Sequence, residues 1–209
     1  MEIACYKPGV TSQADGLFAS TSMLERKEVV YTKHFLPSSL SVSLRPFSVP
    51  RDMATLCKWA WKLNRATDSV AASYLYTGYS DFARSFMALI NNRTPVCQID
   101  ICAADKDELC ESYSSSPGDY IIRLLMNTNK KIVRPLHLKA LQTCLEYFFS
   151  FPHVRQIMAE PEDDNKLYND LLQQAGFQFE DQVYHQYTVC NLFVCTRNSF
   201  TGNTKQLRH

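Results

Sequence analysis

The chain has 209 residues, of which 45% are hydrophobic and 21% are charged, and its formal net charge is +1. This balance indicates one globular α/β domain with a sizeable core rather than a disordered chain. Lys and Arg are scattered among the acids without a basic stripe, so we expect no nucleic-acid partner. No apolar run approaches the roughly 20 residues of a membrane helix, and residues 1–22 hold no secretory apolar core. We therefore expect a cytoplasmic protein without membrane contact.

Cysteines are numerous for such a chain, and none of them forms a CxxC pair. Zinc clusters normally use such pairs, so we predict no metal site and interpret the thiols as reduced, buried, small hydrophobes. The eight residues are Cys5, Cys57, Cys97, Cys102, Cys110, Cys144, Cys190 and Cys195.

The first half of the chain is the less regular half. Residues 1–36 form a Ser- and Thr-rich arm that holds one β-prone run, Glu28–Thr32, as a possible extra strand. Leu40–Phe47 alternates apolar and polar residues, which predicts a half-buried strand. Asp52 is a plausible N-cap for the helical pattern that follows, and a second, aromatic-rich helix is predicted at about residues 69–79.

The second half alternates strands and helices. Two β-prone runs around an Asn-rich turn predict a hairpin, and a dense apolar run after it predicts a central strand. Two helices follow, separated by a short strand; Asp163 or Asp164 would cap the second, and Gly176 would end it. Two more strands and a frayed tail complete the chain. In order, these elements are 86–102, Tyr120–Met126, Leu136–Phe149, Val154–Ala159, the capped helix, Tyr184–Tyr187, Val189–Cys195 and residues 202–209.

This order predicts one α/β (α+β) domain at residues 37–200, followed by a tail at 201–209. The sheet is expected to be mixed, with helices on both faces. No internal repeat interrupts it.

One continuous run in the second half resembles a known superfamily. The strand beginning at Val154 ends in Ala159-Glu160-Pro161, Asp164-Asn165 follows, and the next helix closes on Gly176-Phe177. This pattern resembles the GNAT acyltransferases, and among them the branch that acylates hydroxylamines in siderophore biosynthesis. The resemblance implies the GNAT fold, with a mixed central sheet of about seven strands.

The resemblance also implies an activity. The expected reaction moves an acyl group, first of all acetyl, from acyl-CoA to a small amine or N-hydroxylated amine, by direct attack in a ternary complex and without a metal. A monomer or weak dimer is expected. Coenzyme A would bind by its pyrophosphate at a helix N-terminus and run between two splayed strands. The residues placed along this path are Leu125, Met126, Lys131, Arg134, Leu136, His137, Asn165 and Tyr168.

The sequence departs from the family pattern in two places. Pro135 and His137 stand where the phosphate turn is expected to carry glycines, although Lys130, Lys131 and Arg134 offer charge instead. Arg123 stands where the siderophore branch has a histidine on its central strand. Arginine stays protonated and cannot act as a general base, but it could bind a carboxylate or stabilise an oxyanion.

Other catalytic candidates follow from the same comparison. Asp164 would orient or deprotonate the acceptor, and His185 borders the acceptor side. Tyr168, Tyr184 or Tyr187 could protonate the leaving thiolate. Two alternatives stay open: a degenerate GNAT domain that binds a ligand or partner without turnover, and an enzyme whose donor is an acyl-carrier protein, which brings no adenosine pyrophosphate.

Overall fold

The computed structural model describes residues 29–62, 82–107, 113–127, 134–185 and 188–206. The helix predicted at 69–79 lies outside these ranges, as do Lys130, Lys131 and Tyr187. Within the described ranges, no helix is long and apolar enough to cross a membrane.

The described residues form one mixed sheet of eight strands. Seen across the sheet, the order is β1-β2-β3-β4-β5-β6-β8-β7, and only β5 and β6 run parallel among the paired neighbours. The bounds are β1 Tyr31–Phe35, β2 Leu40–Pro46, β3 Ala83–Ile90, β4 Thr94–Ala103, β5 Asp119–Met126, β6 Gln156–Ala159, β7 Gln178–His185 and β8 Thr188–Thr196. The mixed sheet of about seven strands is thereby confirmed. The eighth strand is the extra one that the arm was expected to supply, since β1 pairs with β2.

Four α-helices and one short 3-10 turn, Ala104–Lys106, accompany the sheet in the described residues. The helices are α1 Val49–Lys62, α2 Arg134–Phe149, α3 Lys166–Ala175 and α4 Arg197–Gln206. The predicted frayed tail is therefore wrong for residues 202–206, which continue α4. Strand β7 also begins at Gln178, earlier than the predicted Tyr184, because its exposed polar residues hid the pattern.

The predicted N-cap at Asp52 is wrong, because α1 begins three residues earlier, at Val49. Asp52 lies in the first turn, where its buried carboxylate accepts the Ser48 N–H at 2.9 Å. Both carboxylate oxygens also accept from Arg45, at 2.5 and 2.6 Å. This buried ion pair joins α1 to strand β2.

Helices cover both faces of the sheet, as expected. Side chains of α2 and α3, such as Phe148 and Leu172, pack with Ile99 and Ile122 on one face. Leu56 and Trp59 of α1 pack on the other face against Met87, Leu89 and Leu125. The cysteines fit the buried, reduced interpretation in part: the six described are free, four are buried, and Cys57 and Cys102 are partly exposed.

Strands β5 and β6 separate soon after they meet. Their parallel pairing covers three residue pairs and ends at Ile121 and Met158. Strand β5 continues to Met126, still paired with β4, whereas β6 ends at Ala159. We call the resulting opening beside Ile122–Met126 the β5–β6 gap. It is the splayed-strand feature that the sequence led us to expect.

Candidate active site

Glu160 follows β6 directly and lies where the β5–β6 gap begins. Its carboxyl oxygen Oε1 accepts a hydrogen bond from the Arg123 guanidinium at 2.6 Å. Its other oxygen, Oε2, is buried and has no hydrogen-bond partner, and the side chain is only 6% exposed. A buried carboxylate oxygen without a donor is costly, and such atoms concentrate at sites that bind or react.

Arg123 crosses the gap from β5 to meet two carboxylates. Its guanidinium donates to both oxygens of Asp107, at 2.6 and 2.8 Å, as well as to Glu160. Burial lowers the pKa of Arg123, but the hydrogen bonds and charges of Asp107 and Glu160 outweigh it and raise the pKa above its ordinary value. The expected contact between Arg123 and an acidic substrate group is thus already made by the protein's own carboxylates.

Tyr168 reaches the same place from the first turn of α3. It packs in the core on the α2 side of the sheet, and its hydroxyl is buried without a hydrogen-bond partner that meets normal geometry. Burial raises the pKa of Tyr168, Arg123 lowers it, Glu160 raises it, and the backbone N–H of Leu124 lowers it. The hydroxyl therefore interacts electrostatically with the Arg123–Glu160 pair, and the raised pKa keeps it protonated.

A network of side-chain hydrogen bonds fixes the turn between β6 and α3. Asn165 is the N-cap of α3, and its side chain accepts the Tyr168 N–H at 3.2 Å. Asn169 donates to the carbonyls of Glu162 and Asn165, and its own oxygen accepts from Asn191. The predicted cap at Asp164 is therefore wrong. Asp164 is exposed, and the Tyr168 N–H is accepted by the side chain of the next residue instead.

The N-terminus of α2 is the place where the resemblance puts a phosphate. Arg134 forms an ion pair with Asp170 at 3.1 Å, Pro135 is exposed, and Leu136 is half-buried. His137 is buried and its Nε2 has no hydrogen-bond partner. Burial lowers the pKa of His137, against a smaller upward effect of the Asn127 backbone carbonyl. The imidazole is therefore neutral near pH 7 and adds no positive charge for an anion.

Three other predicted site residues take different places. Leu125 packs in the core under α1 and Met126 against the core under α2, so only their backbone is left for a ligand in the β5–β6 gap. His185 ends β7, the outermost strand, two strands away from β6 at about 4.8 Å per strand. A catalytic role for His185 stays a prediction. Tyr184, its neighbour, is 67% exposed and lies on the same outer strand. A proton-donor role for Tyr168 or Tyr184 stays a prediction.

Two residues of the cluster were missed by sequence reasoning. Glu160 lies inside the Ala-Glu-Pro motif but received no role, and Asp107 lies in a polar loop without any pattern. One signal was available for both. A charged residue in an apolar central strand, as Arg123 is, needs partners of opposite charge, so carboxylates were to be sought at the adjoining strand ends.

Comparison with protein-family models matches residues 51–185 to the acetyltransferase (GNAT) domain. That span includes the β5–β6 gap and the whole Arg123–Glu160–Tyr168 cluster. Comparison with curated protein sequences gives no match.

Solved structures show the same fold at low sequence identity. An uncharacterized protein from Bacillus halodurans has a TM-score of 0.71 and 20% identity over 86% of this chain and 96% of that one. Aminoglycoside acetyltransferase AAC(6')-Ib, in complex with coenzyme A and kanamycin, has a TM-score of 0.65 and 22% identity over 78% and 99%. Mycobacterium smegmatis RimJ, in complex with CoA-disulfide, has a TM-score of 0.57 and 16% identity over 76% and 83%. The expected GNAT fold is confirmed.

Proposed function

The chain belongs to the GNAT acetyltransferase family, and we propose that it transfers an acetyl group from acetyl-CoA to the nitrogen of a small amine or N-hydroxylated amine. The observation that carries this proposal is the β5–β6 gap, which has reactive side chains on both sides. The buried Tyr168 hydroxyl enters from the α2 side, and the Arg123–Glu160 pair closes the gap at the end of β6. A donor and an acceptor could then meet across the sheet.

The N-terminus of α2 fits a phosphate group, although with fewer donors than a glycine turn would give. The first N–H groups of a helix have no partner within the helix and carry the positive end of its dipole. Here Arg134, Leu136 and His137 supply such groups, whereas Pro135 has none. The Arg134 side chain adds a charge, and its Asp170 partner is 53% exposed, so the pair can open to an anion at low cost.

Bound acetyl-CoA would supply a thioester, the activated acyl group. In the proposed reaction, Tyr168 donates its hydroxyl proton to the sulfur as the thioester bond breaks. Because burial raises the pKa of Tyr168, the proton is available across the neutral range. The open edge of β5 offers backbone N–H groups that can hold the acyl carbonyl, as expected for a gap of this kind.

The acceptor class is supported by the comparisons in general terms only. AAC(6')-Ib binds kanamycin together with coenzyme A, so the fold accommodates small-molecule amines. The siderophore branch and its hydroxylamine acceptors rest on sequence motifs, chiefly Ala159-Glu160-Pro161 and Asp164-Asn165. We keep both acceptor types in the proposal.

One observation favours a second candidate, an acyl-carrier protein as donor. Pro135 removes a phosphate donor from the first turn of α2, and His137 is neutral. An acyl-carrier protein brings no adenosine pyrophosphate, so neither change would weaken its binding. Transfer from an acetylated carrier protein but not from acetyl-CoA would select this candidate.

Calorimetric titration of the whole protein with acetyl-CoA and with coenzyme A tests the proposal first. We expect saturable binding at micromolar to millimolar concentration. Thiol release with a panel of amines and hydroxylamines then tests turnover. Binding without turnover for any acceptor would support the degenerate alternative, and no binding of either nucleotide would contradict the proposal.

A further inference from the structure

We propose that Asn191 of β8 is a positioning residue for the acetyl transfer, because it fixes the two chain segments that carry Glu160 and Tyr168. This inference rests on the proposed function and adds to it a residue that bears no reacting atom. Asn191 lies on the far side of β6 from the β5–β6 gap. Its effect on the reaction must therefore pass through the segments that it holds.

The backbone of β8 holds the segment that follows β6. The Asn191 N–H donates to the Pro161 carbonyl at 2.9 Å, and the Asp163 N–H donates to the Val189 carbonyl at 3.1 Å. Strand β6 ends at residue 159, so these two hydrogen bonds continue its contact with β8 in an irregular form. Glu160 directly precedes Pro161 and is fixed by this attachment.

The side chain of Asn191 holds the first turn of α3. Its Nδ2 donates to Asn169 Oδ1 at 2.8 Å. Asn169 follows Tyr168 directly, and its own Nδ2 donates to the carbonyls of Glu162 and Asn165, at 2.9 and 2.8 Å. Asn191 thus binds the segment after β6 through its backbone and the start of α3 through its amide.

Both amides are fixed in orientation by their partners. Asn169 is only 9% exposed, and a flipped amide would point its oxygen at the two carbonyl oxygens that it now serves as donor. The oxygen of Asn191 accepts from the exposed Gln182 at 3.2 Å, which leaves the Asn191 donor facing Asn169. A buried polar network whose members are all satisfied is rigid and defines one geometry.

That geometry matters for the proposed proton transfer from Tyr168 to the thiolate. A displacement of about 1 Å in a catalytic group can cost about 100-fold in rate. Acetyl-CoA is proposed to bind at the N-terminus of α2 and along the open edge of β5, and the hydrogen bonds of Asn191 and Asn169 involve neither. Loss of the Asn191 amide should therefore lower kcat and leave the affinity for acetyl-CoA unchanged.

The test is Asn191→Asp, which keeps the size of the side chain and the backbone N–H. It replaces the Nδ2 donor with an oxygen that faces Asn169 Oδ1, so no orientation of the Asn169 amide satisfies all of its partners. We expect kcat to fall by about 10–100-fold. The measurements are thiol release, with pentylamine and N-pentylhydroxylamine as acceptors, and calorimetric titration with acetyl-CoA.

Two control variants separate positioning from other effects. Gln182→Glu adds the same charge at the residue paired with Asn191, and its kcat should match the wild type. Arg197→Ala removes hydrogen bonds to the turn before β6, so it should lower stability without changing kcat. The proposal is overturned if N191D keeps the wild-type kcat, if Q182E loses as much as N191D, or if N191D binds acetyl-CoA much more weakly.

Hydrogen exchange tests the attachment without turnover. The amides of Tyr168 and Asn169 should exchange about 10-fold faster or more in N191D, because the first turn of α3 opens more often. The amides in the middle of α2 should be unchanged. Equal exchange at Tyr168 and Asn169 in the two proteins would overturn the proposal. Failure of the proposed function is read separately, since a wild type that neither binds acetyl-CoA nor releases thiol would contradict the acetyl transfer itself.

Discussion

At the scale of single residues, two unsatisfied polar atoms lie beside one arginine. Glu160 Oε2 and the Tyr168 hydroxyl are both buried without a normal hydrogen-bond partner. Arg123 donates a hydrogen bond to the other oxygen of Glu160, and its charge lowers the pKa of Tyr168. Each unsatisfied buried group costs about 1–3 kcal/mol. Such groups are retained where a substrate completes their hydrogen bonds. Removing one of them should therefore raise the stability of the protein and lower its activity.

Tyr168→Phe tests whether stability and activity change in opposite directions. The change removes the hydroxyl proton, and we expect kcat to fall by about 10–100-fold while the affinity for acetyl-CoA stays the same. Because no normal hydrogen bond is lost, the free energy of unfolding should stay constant or rise by up to about 1 kcal/mol. Steady-state thiol release and urea denaturation measure the two effects. A variant that is less stable and fully active would assign Tyr168 to structure alone.

At the scale of elements, α3 carries Tyr168 to the gap and is defined at both ends. Asn165 caps its N-terminus, and Gly176 ends it in the left-handed conformation at φ 105°. The Gly176 N–H bonds back to the Leu172 and Gln173 carbonyls, which closes the last turn. Ten residues are too few for a stable isolated helix, so these caps and the packing of Leu171 and Leu172 hold it.

Asn165→Ala should therefore destabilise the protein by about 1 kcal/mol, because the Tyr168 N–H loses its acceptor. Asp164→Ala should change the free energy of unfolding by less than about 0.5 kcal/mol, since its side chain is exposed. Asn165→Asp should keep the cap and most of the stability. Chemical denaturation of the three variants measures this order, and a larger loss in D164A than in N165A would restore Asp164 as the cap.

Sequence patterns predicted the elements whose burial is periodic and missed those fixed by single long-range contacts. The β3–β4 hairpin is confirmed, with Asn91 and Asn92 both at positive φ in its turn, and so is the Gly176 cap. Strand β7 was predicted too short, since it is an edge strand with exposed residues such as Phe179 and Glu180. The link between Asp107 and Arg123 was missed, because no periodic pattern marks the carboxylate and only the charge of Arg123 in an apolar strand pointed to such a partner.

At the scale of the whole molecule, ion pairs and hydrogen bonds join the outer elements to the central sheet. The Arg45–Asp52 pair fastens α1 to β2, and Glu146 of α2 accepts from Tyr31 and Lys33 of β1. These contacts join segments that are distant in sequence, so no local sequence pattern predicts them. The Glu146 contacts explain how β1, at the end of the N-terminal arm, is held in the folded sheet.

Arg197 makes the corresponding contact for α4. Its guanidinium donates to the backbone carbonyls of Phe149, Phe151 and Val154, where α2 ends and the chain turns toward β6. It also lies over the Phe149 ring, which packs against Phe200 of α4. One side chain thus satisfies three carbonyls that a frayed tail would leave to solvent.

Arg197→Ala should lower the free energy of unfolding by about 2 kcal/mol, because these charge-assisted hydrogen bonds are lost together. The free energy of unfolding of Arg197→Lys should lie between those of the wild type and R197A, since an ammonium cannot span the three carbonyls as a planar guanidinium does. Urea denaturation measures the order, and acetyl-CoA affinity well below the unfolding midpoint should be unchanged, because α2 meets the proposed phosphate at its opposite end. An R197A variant as stable as the wild type would mean that α4 contributes little, as the sequence alone led us to expect of a tail.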